Sequence, residues 1–452
     1  MFIFMARNKV DVDDANLSVD LSDATQAVKE NRFEEALKLL NVILKEYPDN
    51  IDSLYLAAVS TRYLKQFKES QIHIENLLRN APDMGRAYQE LGHLNRDIGE
   101  DEKAVMHYRQ ACELNPALMA SWKFLYNYFN RNNNKPAADH ALEQIQKLKS
   151  LPASLLYIDQ ILNEGRLGLA EQKCRAFLKK NPTHTYAMSL LAEIANRLGY
   201  FDDAEFLLEK AVEFKPNDGD LRMKYAAVLR KKQKFVQTME QVDILCEQYP
   251  KNLSYQAQKA SETMQNGDHK EAINLLNDIL KKNPYNFSCL TSKGHAQKTL
   301  GQTNEAINSY QSAYQIKPDH GEAFFSLANL KTYSFSRQEL DSMRKQVNRV
   351  DLCQRDKAYF HFALAQGCEV NGEFEEAFFH LVQGNQIKNG QSLYSIERMD
   401  KELQAQIDVC DISFFKDLGE GGHDTREPIF ILGLPRAGST LIEQVLASHS
   451  QI

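Results

Sequence analysis

Cysteine is scarce and unpatterned: seven residues in 452, an odd number with no C-x-x-C pair. Such usage argues against a disulfide framework and for reduced thiols in a cytoplasmic setting. No apolar run approaches the ~20 residues needed to cross a bilayer, and Met1-Phe-Ile-Phe-Met5 is too short for a signal peptide. A membrane span is therefore not expected. Positive charge is not in excess either: the formal net charge is -7, which gives no sign of nucleic-acid binding. The twelve histidines never form an H-E-x-x-H pattern, so spacing supports no metal site. His449 is expected to cap or pack near the end of the last helix.

Proline is also sparse, at twelve residues, yet eight of them obey one period. Pro48, Pro82, Pro116, Pro182, Pro216, Pro250, Pro284 and Pro318 are spaced by 34 residues, apart from one gap of 66 that holds a shortened repeat. Twelve residues before each stands a small or short side chain: Ala36, Ser70, Ala104, Ala170, Ala204, Thr238, Ala272 and Ala306. The small residue lets two helices approach closely, and the proline ends the second of them. This pattern resembles the tetratricopeptide repeat.

The resemblance implies a tetratricopeptide α-solenoid of about nine to eleven helix pairs, stabilised mainly by nearest-neighbour packing. Repeats are expected at 17–50, 51–84, 85–118, 119–150, 151–184, 185–218, 219–252, 253–286 and 287–320. The third, sixth and ninth keep the most consensus positions. Within this tandem array, 17–320, Cys112, Cys174 and Cys246 fall on second helices and are expected in the core. A divergent terminal region follows at 321–390. It begins with a helix over Gly321 to Tyr333, is interrupted by a polar segment around Ser334 to Arg337, and regains a helical pair over Phe360 to Lys388. A helix from Ser395 to Val409 and a linker complete 391–427, with Gly419-Glu-Gly-Gly422 as the expected hinge.

In arrays of this kind the concave face takes a partner. The fifth, ninth, twelfth and thirteenth positions of each first helix line it. The last two of these read Arg62, Arg96, Arg131, Arg197, Arg230, Lys231 and Lys298. The expected groove is more basic than the whole chain and suits a protein or peptide of acidic or polar character. The alternative is a solvated face whose charges are paired by neighbouring acids.

The most specific chemistry lies at 428–452. Ile429 to Leu432 is a continuous apolar run, the pattern of a covered parallel strand. Gly433 and Gly438 permit a tight loop, and Thr440-Leu-Ile-Glu443 fits a capping box that opens a helix. A helix start after such a loop attracts an anion. The spacing Gly433-x-x-x-x-Gly438-Ser-Thr440 nearly matches the nucleotide P-loop, but Ser439 stands where that loop has lysine. The cation is Arg436, inside the loop.

Leu434-Pro-Arg-Ala-Gly-Ser-Thr440 resembles the 5′-phosphosulfate loop (P-R-S-G-T-T) of sulfotransferases. The likeness is to the protein-tyrosine type and to the bacterial enzymes that carry tetratricopeptide repeats in front of it. Ala437 replaces the usual serine. The resemblance implies the first strand, loop and helix of an α/β P-loop-like sulfotransferase domain. Pro435, Arg436, Ala437, Gly438, Ser439 and Thr440 would hold 3′-phosphoadenosine 5′-phosphosulfate, and Arg436 would stabilise charge during sulfuryl transfer to an acceptor hydroxyl. No metal is implied. The general base and the 3′-phosphate ligands are expected beyond Ile452, so the chain is expected to be inactive by itself. Two other classes fit less of the pattern: a non-enzymatic tetratricopeptide scaffold, and a P-loop kinase or NTPase.

Overall fold

The computed structural model describes residues 13–349, 352–390, 395–417, 425, 427–434 and 436–450. It falls into two compact units, one reaching Gly384 and the other starting at Asn385. Every regular element among the described residues is a helix. The expected strand at Ile429 to Leu432 does not form.

The first unit is a tetratricopeptide-like α-solenoid. Between Asp13 and Ile316, eighteen helices run as nine consecutive pairs, each helix packed on the next in sequence except at Lys135–Lys149 and Ala153–Asn163, where the packing is interrupted. Ala36, Ser70, Ala104, Ala170, Ala204, Thr238, Ala272 and Ala306 all have 0% exposure. They stand where the two helices of a pair meet, and their small size lets the helices approach closely. The two hydroxyls are satisfied locally: Ser70 Oγ donates to Ala58 O (3.0 Å) and Thr238 Oγ1 to Lys234 O (2.9 Å). Cys112 and Cys174 are buried, and burial pushes both thiols up to about 12. Cys246 is half-buried.

The junctions follow from the prolines. Helices ending at Phe214, Gln248 and Lys282 stop two residues before Pro216, Pro250 and Pro284, because the residue preceding proline is pushed out of the α region. Two residues past each of these prolines, Asp218, Asn252 and Asn286 cap the next helix, accepting from Leu221, Ser254 and Cys289 N–H groups.

The turn inside each pair has its own period. Asn31, Lys65, Gly99, Asn133, Gly165, Gly199, Gln233, Gly267 and Gly301 all have positive φ. Their spacing is 34 residues except between Asn133 and Gly165, where it is 32. The repeat expected from residue 151 begins its first helix at Ala153, 34 residues after Met119. That helix, Ala153–Asn163, has 11 residues where that of the next repeat, Thr185–Arg197, has 13, so the shortening falls in the fifth repeat rather than the fourth.

After the ninth pair, the helix Gly321–Ala328 ends five residues before the expected Tyr333. Asn329 caps it and Lys331 turns with φ 57. The helices Arg337–Val347, Gln354–Val370 and Phe374–Gly390 follow, and Phe324, Phe335, Leu340, Met343, Phe360 and Leu364 share one core with Tyr310.

The second unit contains helices Ile396–Val409, Ile412–Asp417 and Ser439–Ala447. Ser395 caps the first by accepting from Arg398 N–H. The expected hinge at Gly419 to Gly422 lies outside the described residues. Ile429, Phe430 and Leu432 are 55%, 81% and 90% exposed. A parallel strand needs a neighbour for its ladder and cover for both faces, and no second strand exists among the described residues.

Candidate functional site

The loop that carries the phosphosulfate-like motif is a turn leading into a helix. Ala437 N–H donates to Leu434 O (3.1 Å), closing a four-residue turn whose third residue, Arg436, has φ 67. Turns of this hand favour glycine or asparagine at that place. An arginine held there is a backbone outlier of the kind that clusters at ligand sites. Gly438 follows with φ 86 and is the N-cap of Ser439–Ala447.

The expected capping box is corrected by this geometry. Gly438 redirects the chain one residue before Ser439, so Thr440 already lies in the first helical turn and no side chain caps the helix. The first intrahelical bond is from Ile442 N–H to Gly438 O (3.1 Å). The N–H groups of Ser439, Thr440 and Leu441 therefore precede the helix ladder and lack acceptors within it. Of the expected ligands, Arg436, Ser439 and Thr440 are exposed on this short stretch, whereas the Ala437 amide is already engaged in the turn. Pro435 lies outside the described residues. Guanidinium, hydroxyls and helix-start amides form a donor-rich set that suits an anion.

The basic positions of the solenoid are mostly neutralised. Arg62 is 7% exposed. It pairs with Glu90 and with Asp97 (2.8 Å) of the next repeat, and its guanidinium lies 4.4 Å from the Tyr63 ring. Burial pushes the Glu90 carboxyl up despite Arg62. Asp97 has the opposite outcome, since hydrogen bonds from Arg96 and Arg62 outweigh burial and hold its carboxyl below the usual range. Arg96 shares Asp97, Arg197 donates to Glu193 (2.8 Å) and Leu162 O (3.0 Å), and Arg230 donates to the buried Glu262 (3.0 Å).

Lys231 differs. It donates to the neutral Asn196 Oδ1 (2.8 Å) and lies 5.7 Å from the Phe201 ring. Arg131 and Lys298 are exposed. Lys224, which position counting missed because it falls one place after a groove position, donates to Ser189 Oγ (2.8 Å).

A second cluster was invisible in the sequence. Ligand atoms of Cys368, Glu373 and Glu376 lie within 4.8 Å of one another. Arg344 already provides the cation there: Nε donates to Glu376 (2.8 Å), and Nη2 to Glu373 and Glu376 (3.1 Å each). Its hydrogen bonds hold the Glu376 carboxyl below the usual range. Beside it, His361 Nδ1 and His380 Nδ1 share a 2.9 Å hydrogen bond.

Comparison with known proteins matches both regions. A tetratricopeptide-repeat family model matches residues 85–118, 186–218 and 287–320, and a sulfotransferase family model matches residues 428–452. An uncharacterized protein of Aquifex aeolicus (strain VF5) is 25% identical over 206 residues, 46% of this chain and 26% of that protein; the match thus spans about a quarter of the relative's length. Among solved structures, MamA is 15% identical over 37% of this chain and 96% of its own, with a TM-score of 0.33. A human IFIT1 dimer with m7Gppp-AAAA is 16% identical over 81% of this chain and 88% of its own, with a TM-score of 0.36. No helix among the described residues is long and apolar enough to cross a membrane.

Proposed function

We propose that the protein is a sulfotransferase that uses 3′-phosphoadenosine 5′-phosphosulfate, with its repeats holding an acceptor or partner protein. The observation that carries this reading is the donor-rich loop at Arg436, Ser439 and Thr440, inside the segment matched by the sulfotransferase family model. The co-substrate supplies the sulfuryl group that passes to an acceptor hydroxyl, for which peptide tyrosine is favoured by the likeness of the loop. Arg436 presents a fork of donors that stays charged at any working pH. Ser439 and Thr440 add hydroxyls, and the helix start adds amides oriented toward negative charge. Ser439 at the P-loop lysine position weighs against a kinase or NTPase.

Calorimetric titration tests the reading. Binding of 3′-phosphoadenosine 5′-phosphate that exceeds binding of magnesium-ATP supports it. Tighter binding of magnesium-ATP would favour the NTPase class, and absence of binding by either nucleotide, even to a chain extended beyond Ile452, would favour a scaffold.

A further inference from the structure

The shortened fifth repeat changes what the groove can admit. Its first helix is drawn against the loop that precedes the fourth repeat: Asn115 Nδ2 donates to Gln160 O, and Gln160 Nε2 to Ala117 O (3.2 Å each). The turn after that helix then meets the starts of the second and third repeats. Arg166 pairs with Asp52, 114 residues away, and Arg86 pairs with Glu164, 78 residues away. Arg86 also lies 4.7 Å from the Tyr55 ring, and Tyr55 occupies a groove-lining position of the second repeat.

Neighbouring repeats are joined by apolar cores and by pairs such as Arg62–Glu90; these links differ in skipping one or two repeats. They are ion pairs bordering a space of about 790 Å³ that is lined by Asp49, Asp52, Asp83, Gly165, Arg166 and Arg197. The Glu164 side chain is 3% exposed, while Arg166 and Asp52 are 36% and 33% exposed. One pair is thus shielded and the other open to exchange with an incoming charge. A further pair, Lys147–Asp220, is 52% and 71% exposed and adds little.

From the sixth repeat onward, hydrogen bonds on this face join neighbouring repeats, as in Lys224 to Ser189, Lys231 to Asn196 and Arg230 to Glu262. Lys224 and Lys231 rest on neutral partners, and Lys298 is exposed. A carboxylate can therefore reach these lysines without breaking an ion pair.

We propose that Asp52–Arg166 and Arg86–Glu164 form a latch that closes the concave groove over repeats two to five and leaves repeats six to nine to take an acidic peptide. The peptide half of this inference rests on the reading of the repeats as a partner-binding groove; the latch does not.

Two measurements separate the parts. Small-angle scattering of the Asp52→Arg variant, which sets two arginines face to face, is expected to give a larger radius of gyration than the parent. The swap Asp52→Arg/Arg166→Asp is expected to restore the parent value, which also excludes simple misfolding. Identical scattering for the parent and Asp52→Arg overturns the latch, as does a swap that stays expanded. Fluorescence anisotropy with fluorescein-labelled octaglutamate tests the open half. Lys224→Glu/Lys231→Glu is expected to weaken binding about tenfold or more, since like charges placed together suppress association. Unchanged affinity overturns that assignment. Failure of the parent to bind octaglutamate overturns the acidic-groove reading, while the scattering result still decides the latch.

Discussion

Gly294 lies against Tyr310 so closely that a Cβ added at Gly294 would be 2.5 Å from Tyr310 Cε1. The ring is fully buried, and its hydroxyl is held by His295 Nδ1 at 2.9 Å. Gly92 and Tyr108 repeat the relationship in the third pair, at 2.9 Å. Neither ring can withdraw without losing its histidine. Alanine gains ~1 kcal/mol over glycine in helix propensity, whereas overpacking a core costs ~1–3 kcal/mol. Gly294→Ala is therefore expected to lower the urea midpoint. Gly92→Ala should add to it almost independently, since the two sites share no neighbours. Unchanged midpoints would mean that the rings shift freely.

Among the turn residues with positive φ, Lys65 and Gln233 are neither glycine nor asparagine. A left-handed conformation costs such a residue roughly 1–2 kcal/mol, part of which glycine returns to the unfolded chain as entropy. Gln233→Gly is expected to raise the melting temperature modestly, whereas the same change at Gln241, in the middle of the helix Phe235–Gln248, should lower it. Calorimetry of the two variants decides the point; a loss at Gln233 would contradict the strain.

The buried histidine pair predicts acid sensitivity. Burial, together with His380 and Lys357, pushes His361 down to about 4. Burial also lowers His380, although Glu376 pulls it the other way. Both rings are thus neutral when folded, but take up protons near pH ~6.5 when unfolded. The unfolded state binds more protons between those limits, so stability is fully present above pH ~6.5 and falls as pH drops toward 4. The urea midpoint is expected to decrease from pH 7 to pH 5, and less steeply in His361→Phe/His380→Leu. Equal slopes would remove the pair as the cause.

In a chain extended beyond Ile452, Arg436→Ala is expected to weaken 3′-phosphoadenosine 5′-phosphate binding about tenfold or more, because a charge-assisted fork is lost. Arg436→Lys should recover part of that affinity, since it restores charge without bidentate geometry. Titration of the alanine variant with parental affinity would take Arg436 out of the site.

The array was legible because its determinants are local. A small residue, a proline twelve positions later and the next capping Asx act within one pair or one junction, so the period of the prolines carries the architecture. The left-handed turn position was equally periodic but went unread, since Asn31, Lys65, Asn133 and Gln233 break the glycine signature. At the C-terminal loop the order of Gly433, Arg436, Gly438 and Thr440 carries the anion-site proposal. The start of its helix was misplaced by two residues, Thr440 for Gly438 as the N-cap, because the backbone sign at Gly438 outweighs a side-chain capping pattern.

Other features belong to tertiary structure alone. The apolar run at Ile429 needs a neighbouring strand before it can become one, and no property of the run supplies that partner. The basic stripe looked open because position counting sees only one helix at a time, whereas Glu90 and Asp97 approach Arg62, and Glu262 approaches Arg230, by packing of the next repeat. Asp52 and Arg166 are 114 residues apart, and their pairing depends on curvature accumulated over several repeats and sharpened by the shortened helix Ala153–Asn163. The sequence specified each step of the solenoid; small rotations summed along the array decided which distant charges would meet.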